Sequence, residues 1–290
     1  MDDSEFRQLH RRELVDDRLS GASQLARAAL DSLGEFAGSC SAADTETLRS
    51  ELLDFGEELQ SARPSMAPIE NLIQHWLDTV SEIDAEDPQV VRREAAAAAQ
   101  RLSDHSIQAV ASVARNAVRL VGANRRIITH SLSSTVLEAL RELAPMGLAV
   151  ITPESRPGLE GRTLARHLDQ MHIPVDFITD AQIGHFCRRA DLALVGADTL
   201  LGDGAVVNKA GTCLLALAAR DQGIPLYVCC ESFKRVPYGR TSFEPEALDP
   251  DEIEAPKGAH ITPCNVYFDI TPANLVDAWI DETGIQHAQR

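Results

Sequence analysis

Lysine is almost missing from this chain. Lys209, Lys234 and Lys257 are the only three in 290 residues, and arginine supplies the rest of the positive charge. Acidic residues outnumber basic ones by 44 to 27, for a formal net charge of -17. A surface of that sign repels a phosphate backbone, which argues against a nucleic-acid-binding protein. Long apolar runs are also missing: no stretch approaches the roughly 20 residues of a membrane span. The opening MDDSEFRQLHRRELVDD is too polar for a secretory leader, so the expected location is the cytoplasm, with no membrane contact. Six cysteines show no C-x-x-C spacing, and nine histidines are scattered singly. Neither a disulfide framework nor a metal site is expected. The fingerprint G-x-G-x-x-G is absent, which argues against a nicotinamide-dependent oxidoreductase. No cofactor is expected.

What is present falls into two patterns. Through residue 122 no strand is evident; apolar residues recur at helical spacing in 25–33, 48–59, 69–80 and 90–120. Asp44 and Pro64-Ser65 are suitable helix starts. The expectation is an antiparallel helical N-terminal domain over 1–122. From residue 126 short apolar runs alternate with helical segments. Strands are predicted at 126–129, 148–152, 175–178, 192–195, 226–229 and 266–268, and helices at 135–143, 161–171, 183–188, 211–221 and 273–283. That alternation predicts an α/β domain over 123–290, a parallel sheet with right-handed crossovers.

The stretch 191–216, DLALVGADTLLGDGAVVNKAGTCLLA, organises this domain. It reads as a buried parallel strand, then a polar loop carrying Asp198, Asn208 and Lys209, then the start of a helix near Gly211-Thr212. Ligands of open α/β sheets sit outside the carboxyl ends of the strands. The other strand ends are polar as well: His130 and Ser131, Glu154 to Arg156, Asp180, and Glu231 to Lys234 follow successive strands. Polar groups at five successive ends predict a site. Residues 236–263, rich in proline and acid without periodicity, read as a lid or an oligomer contact.

Several of these segments resemble one superfamily. ITHS (128–131), TPESRPGLEGRTLARHL (152–168), VGADTLLGDGAVVNKAGT (195–212), ESFK (231–234), FDITPANLVDAWI (268–280) and ARPS (62–65) carry the resemblance. The superfamily contains the alpha, beta and delta regulatory subunits of eukaryotic translation initiation factor 2B. It also contains ribose-1,5-bisphosphate isomerase and methylthioribose-1-phosphate isomerase. The resemblance implies a helical domain on a Rossmann-like domain, assembled as a homodimer or a dimer-based oligomer. It further implies a sugar phosphate bound between the domains, with Asp198 as a proton carrier and Asn208-Lys209 and Arg63 on phosphate. Gly21, Glu154, Arg156 and Lys234 complete the expected substrate- and phosphate-binding set.

Two departures bear on activity. Ser131 stands where the isomerases have a catalytic cysteine, and Ser20-Gly21-Ala22 stands where they have Arg-Gly-Ala. A thiol titrates near ~8.5, whereas a serine hydroxyl needs an adjacent base. Arg18 is a candidate substitute for the missing arginine. The expected function is aldose-to-ketose isomerisation of a sugar phosphate, with Asp198 and Ser131 as the catalytic pair. The alternative is a non-catalytic regulatory protein, related to the initiation factor, that binds a sugar phosphate or nucleotide.

Overall fold

The computed structural model describes residues 2–17, 20–236 and 249–288. Its contacts divide the chain into two compact units, Met1–Gln108 and Ala109–Arg290.

The first unit is helical. It contains α1 (Asp3–Asp16), α2 (Ala22–Ser39), α3 (Thr45–Gln60), α4 (Ala67–Ser81) and most of α5 (Pro88–Val121). The predicted helices all form, and the Asp44 carboxylate accepts the Thr47 amide as the cap of α3. The fourth helix starts two residues later than Ser65, with Pro68 in its first turn. Helix α1 went unpredicted because its apolar face consists of little more than Phe6 and Leu14. A capping box between Asp2 and Glu5 starts it instead. Trp76, Phe36 and Phe55 are fully buried at the centre of the unit.

The second unit, Ala109–Arg290, is α/β, the class expected for this part of the chain. Its elements are β1 (Arg126–Ile128), α6 (Ser134–Leu143), β2 (Ala149–Pro153), α7 (Glu160–Gln170), β3 (Val175–Ile178), α8 (Ile183–Cys187) and β4 (Leu192–Val195). A hairpin, β5 (Thr199–Leu200) and β6 (Val206–Lys209), precedes α9 (Thr212–Gln222) and β7 (Leu226–Cys229). The chain closes with β8 (Phe268–Thr271), β9 (Ala278–Asp281) and β10 (Gly284–His287). The main sheet runs β10-β9-β7-β4-β1-β2-β3, parallel throughout except for the edge pair β10–β9. Its central strand β4 is buried at every position, as a strand covered on both faces must be. The end of α5 packs on this sheet, where Val113, Ala114, Ala117 and Val121 join Ile127 and Leu194 in one core.

Three expectations are corrected here. Asn208 and Lys209 lie on a strand rather than in a loop, because residues 199–209 form a hairpin that joins β8 in a separate antiparallel sheet, β5-β6-β8. The strand expected at 266–268 begins at Phe268 and belongs to that small sheet. The helix expected at 273–283 is one 3-10 turn over Ala273–Leu275 followed by β9 and β10. Val276, Ala278 and Ile280 are buried at alternate positions, and that strand period outweighs the helical spacing of Leu275 and Trp279. Of the segment read as a lid or oligomer contact, residues 237–248 lie outside the described residues, as does Arg18.

Candidate functional site

Strand β1 lies between β2 and β4, which is where the winding of the sheet reverses. Open α/β sheets form their crevice at that point, beyond the carboxyl ends of the two central strands. Ser131 follows β1 and Asp198 follows β4, so the two candidate catalytic residues stand on the loops that flank it.

Asp198 is half-buried, and its amide donates to the Val207 carbonyl at 2.9 Å, pinning the loop to the hairpin. Its charge acts on two buried lysines, Lys209 and Lys234. Lys209 is only 4 % exposed. Its ammonium pairs with Glu160 Oε1 and lies 3.2 Å from the centroid of the Tyr267 ring. Burial pushes the Lys209 ammonium below its ordinary range, against the pull of Glu160, Asp198 and Glu252. Glu160 itself opens α7, and its Oε2 is buried without a hydrogen-bond partner. A Cβ on Gly158 would come within 2.4 Å of Glu160 Oε1 and 2.6 Å of the Tyr267 hydroxyl. A side chain at 158 would have to displace one or both of them.

Lys234 closes a 3-10 turn after β7 and lies 2.8 Å from Glu231 Oε2, while Thr135 Oγ1 donates to Glu231 Oε1 at 2.8 Å. Burial opposes charge on both partners. Their mutual attraction outweighs it, raising the lysine and lowering the carboxyl.

At the end of β1, His130 Nε2 lies 2.8 Å from the Ala210 carbonyl, which only accepts, so that nitrogen carries the proton. Burial lowers the histidine's affinity for a second proton and holds the ring neutral. The ring packs under Gly211, where a Cβ would approach Nε2 to 2.7 Å and φ is +108°. Ser131, with φ at 64°, donates its amide to Ser155 Oγ at 2.9 Å. Its own hydroxyl makes no hydrogen bond among the described residues; the unprotonated Nδ1 of His130 lies 3.5 Å from Ser155 Oγ instead.

The loop after β2 is organised by Asp180, whose two carboxylate oxygens accept the amides of Ser155 and Arg156, each at 2.8 Å. The Arg156 guanidinium is exposed and donates to the Ile253 carbonyl at 3.1 Å. Glu154 pairs with Arg162 at 3.4 Å. The Asn208 amide donates to Thr212 Oγ1 at 2.9 Å, and Thr212 in turn donates to the Lys209 carbonyl at 2.7 Å. That chain fixes the turn into α9, whose first amides are met by Asp269. In the helical unit, Gly21 caps α2 and donates its amide to Gln24 Oε1 at 3.1 Å. The buried Arg63 donates to the carbonyls of Asp17 at 3.1 Å and Leu14 at 3.5 Å.

In the α/β unit, then, Asp198, Lys209 and Lys234 are electrostatically coupled, while Asn208 and Glu154 spend hydrogen bonds on local structure. Sequence reasoning missed Glu160 and Tyr267. An acid in a first helical turn is commonplace, and the Tyr267 ring carries no motif of its own. No cluster of three or more histidine, cysteine or acidic side chains suited to a metal occurs among the described residues. No described helix is long and apolar enough to cross a membrane.

Comparison with known proteins adds independent findings. The model of the Initiation factor 2 subunit family matches residues 18–288. A putative translation initiation factor eIF-2B subunit 2-like protein from Pyrococcus horikoshii is 36 % identical over 94 % of each chain. A ribose 1,5-bisphosphate isomerase from Methanocaldococcus jannaschii is 28 % identical over 92 % of this chain and 87 % of its own. Among solved structures, the P. horikoshii translation initiation factor eIF-2B superposes with a TM-score of 0.84 at 34 % identity, covering 98 % of both chains. The 5-methylthioribose 1-phosphate isomerase of the same organism reaches 0.83 at 19 % identity, over 97 % of this chain and 84 % of its own, a likeness of fold.

Proposed function

The chain belongs to the Initiation factor 2 subunit family, and from that premise we propose that it binds a phosphorylated sugar beyond the carboxyl ends of β1 and β4. The observation that carries this reading is the coupling of a half-buried carboxylate, Asp198, to two buried ammonium groups at one end of the sheet. Buried charges at this density are characteristic of functional sites. Asp198 meets the sugar, Lys209 and Tyr267 line its pocket, and the exposed guanidinium of Arg156 meets the phosphate. Asn208, Glu154 and Lys234 support these groups from behind through the contacts they already make.

Binding without isomerisation is the reading we favour. Ser131 has no titratable proton near neutrality and its hydroxyl is hydrogen-bonded to no base among the described residues, so Asp198 is the better equipped of the expected catalytic pair to carry a proton. The isomerase reading is supported by relatives such as the M. jannaschii ribose 1,5-bisphosphate isomerase, and by Asp198, which stands where a proton acceptor is needed. The protein works in the cytoplasm as a dimer or a larger assembly of dimers. The exposed Leu214 and Leu217 of α9 support a second copy there.

The test pairs two measurements on the full chain. Ribose 1,5-bisphosphate and methylthioribose 1-phosphate are titrated by calorimetry and then incubated for turnover, with Asp198→Ala as control. Binding without turnover is expected. Turnover above the control makes the chain an isomerase, and no binding of either compound defeats the whole reading.

A further inference from the structure

The two buried lysines are not equally available to an anion. Lys209 already faces an anion: Glu160 Oε1 is in contact with its ammonium, and Asp198 and Glu252 add two more negative charges to its field. Glu160 is 9 % exposed and cannot turn out to water without unburying the start of α7. Gly158 backs the paired oxygen closely, since a Cβ there would fall 2.4 Å from Glu160 Oε1. Its second oxygen, Oε2, is buried and accepts nothing. A buried carboxylate oxygen with no donor leaves a bond unmade that a ligand can make. The donor that fits is a hydroxyl, because a phosphoryl oxygen brought there would meet a like charge at close range in a site of low polarity.

We propose that Glu160 is a specificity-determining residue that turns the Lys209 end of the site into a reader of sugar hydroxyls and excludes phosphate from it. This rests on the sugar-phosphate reading above and narrows it. The ligand carries one phosphate, held away from Lys209, and presents a hydroxyl to Glu160 Oε2. The Tyr267 ring face backs the Lys209 ammonium, which holds the carboxylate in place for that hydrogen bond. A bisphosphate would have to displace Glu160 from Lys209, and its second phosphate is what the carboxylate selects against.

The test measures the affinities of the full chain for ribose 5-phosphate and for ribose 1,5-bisphosphate by calorimetry, in the wild type, Glu160→Gln and Glu160→Asp. The wild type is expected to bind the monophosphate at least as tightly as the bisphosphate. Glu160→Gln, which keeps the shape and removes the charge, is expected to tighten the bisphosphate by about tenfold or more relative to the monophosphate. Glu160→Asp, which keeps the charge, retains the wild-type order. Thermal melting of each variant checks that the fold is intact. A wild type that prefers the bisphosphate, or a Glu160→Gln variant with unchanged selectivity, overturns the role of Glu160 and leaves sugar-phosphate binding standing. Binding of neither compound by any variant overturns both.

Discussion

Two lysine–glutamate pairs are buried in the α/β unit, and they differ in what is left over. Around Lys234 each Glu231 oxygen has a neighbour of opposite polarity: Oε2 lies 2.8 Å from the ammonium, though without hydrogen-bond alignment, and Oε1 accepts the Thr135 hydroxyl. Around Lys209 the account does not close, since Glu160 Oε2 has no donor and the ammonium leans on an aromatic face. The protonation tendencies follow. Lys234 is pushed up by its partner after burial is overcome, whereas burial wins at Lys209 and pushes it down. A matched pair locks the turn after β7 to α6. An unmatched pair is what a ligand-binding site looks like before its ligand arrives.

The largest expected effect is on stability. Lys234→Met strands the Glu231 carboxylate in the core and should cost about 3–5 kcal/mol in denaturant unfolding. The double variant Glu231→Leu/Lys234→Met should recover most of that loss. Lys209→Met should cost less, about 1.5–3 kcal/mol, because its pair is already imperfect. Equal or reversed costs would erase the distinction between the pairs.

The distinction was only partly legible in the sequence. Asp198 could be read because it ends an unbroken apolar run, Leu192–Val195, in an α/β pattern. Lys209 was noticed because lysine is so rare here, but its place on β6 was not. A hairpin whose first strand has two residues leaves no period to detect. Glu160 is distant from Lys209 in the chain, and nothing local to ESRPGLEG distinguishes an acid that neutralises a buried lysine from one that merely suits a helix start. The fold was legible almost throughout because it depends on period and alternation. The exception at 273–283 lay where four-residue and two-residue spacings overlap. The pairing of buried charges depends on contacts across the fold, and it was not legible.

A middling effect should come from Gly158→Ala. Its Cβ would intrude on Glu160 and the Tyr267 hydroxyl, costing about 1–3 kcal/mol and weakening sugar-phosphate binding. The Lys234 pair should be untouched, which double-variant additivity with Thr135→Val can check. Thr135→Val alone removes one hydrogen bond to a charged oxygen and should cost about 1.5–3 kcal/mol.

The smallest effects are those of pH. Glu231 is held below its ordinary value of 4.5, so its contribution is present above that pH and is lost as pH falls through the folded value. Lys234 is raised above 10.5, so its contribution is present below that pH and is lost as pH rises through the folded value. Lys209 is lowered from 10.5, and folding is therefore favoured progressively as pH rises from its folded value to 10.5. Unfolding curves across this range should show the stability gap between wild type and Lys234→Met narrowing at both extremes. Wild type should gain on Lys209→Met toward the alkaline end. Parallel curves for the two variants would mean that the pairs are equivalent.

The scarcity of lysine makes the decisive experiment simple, since a sample labelled with nitrogen-15 at lysine Nζ carries only the signals of Lys209, Lys234 and Lys257. Ribose 5-phosphate is added while the spectrum is followed. The Lys209 resonance should shift and sharpen as the sugar hydroxyl takes up Glu160 Oε2, with Lys234 and Lys257 still. A spectrum in which Lys234 moves and Lys209 does not, or in which none of the three responds, would contradict the account.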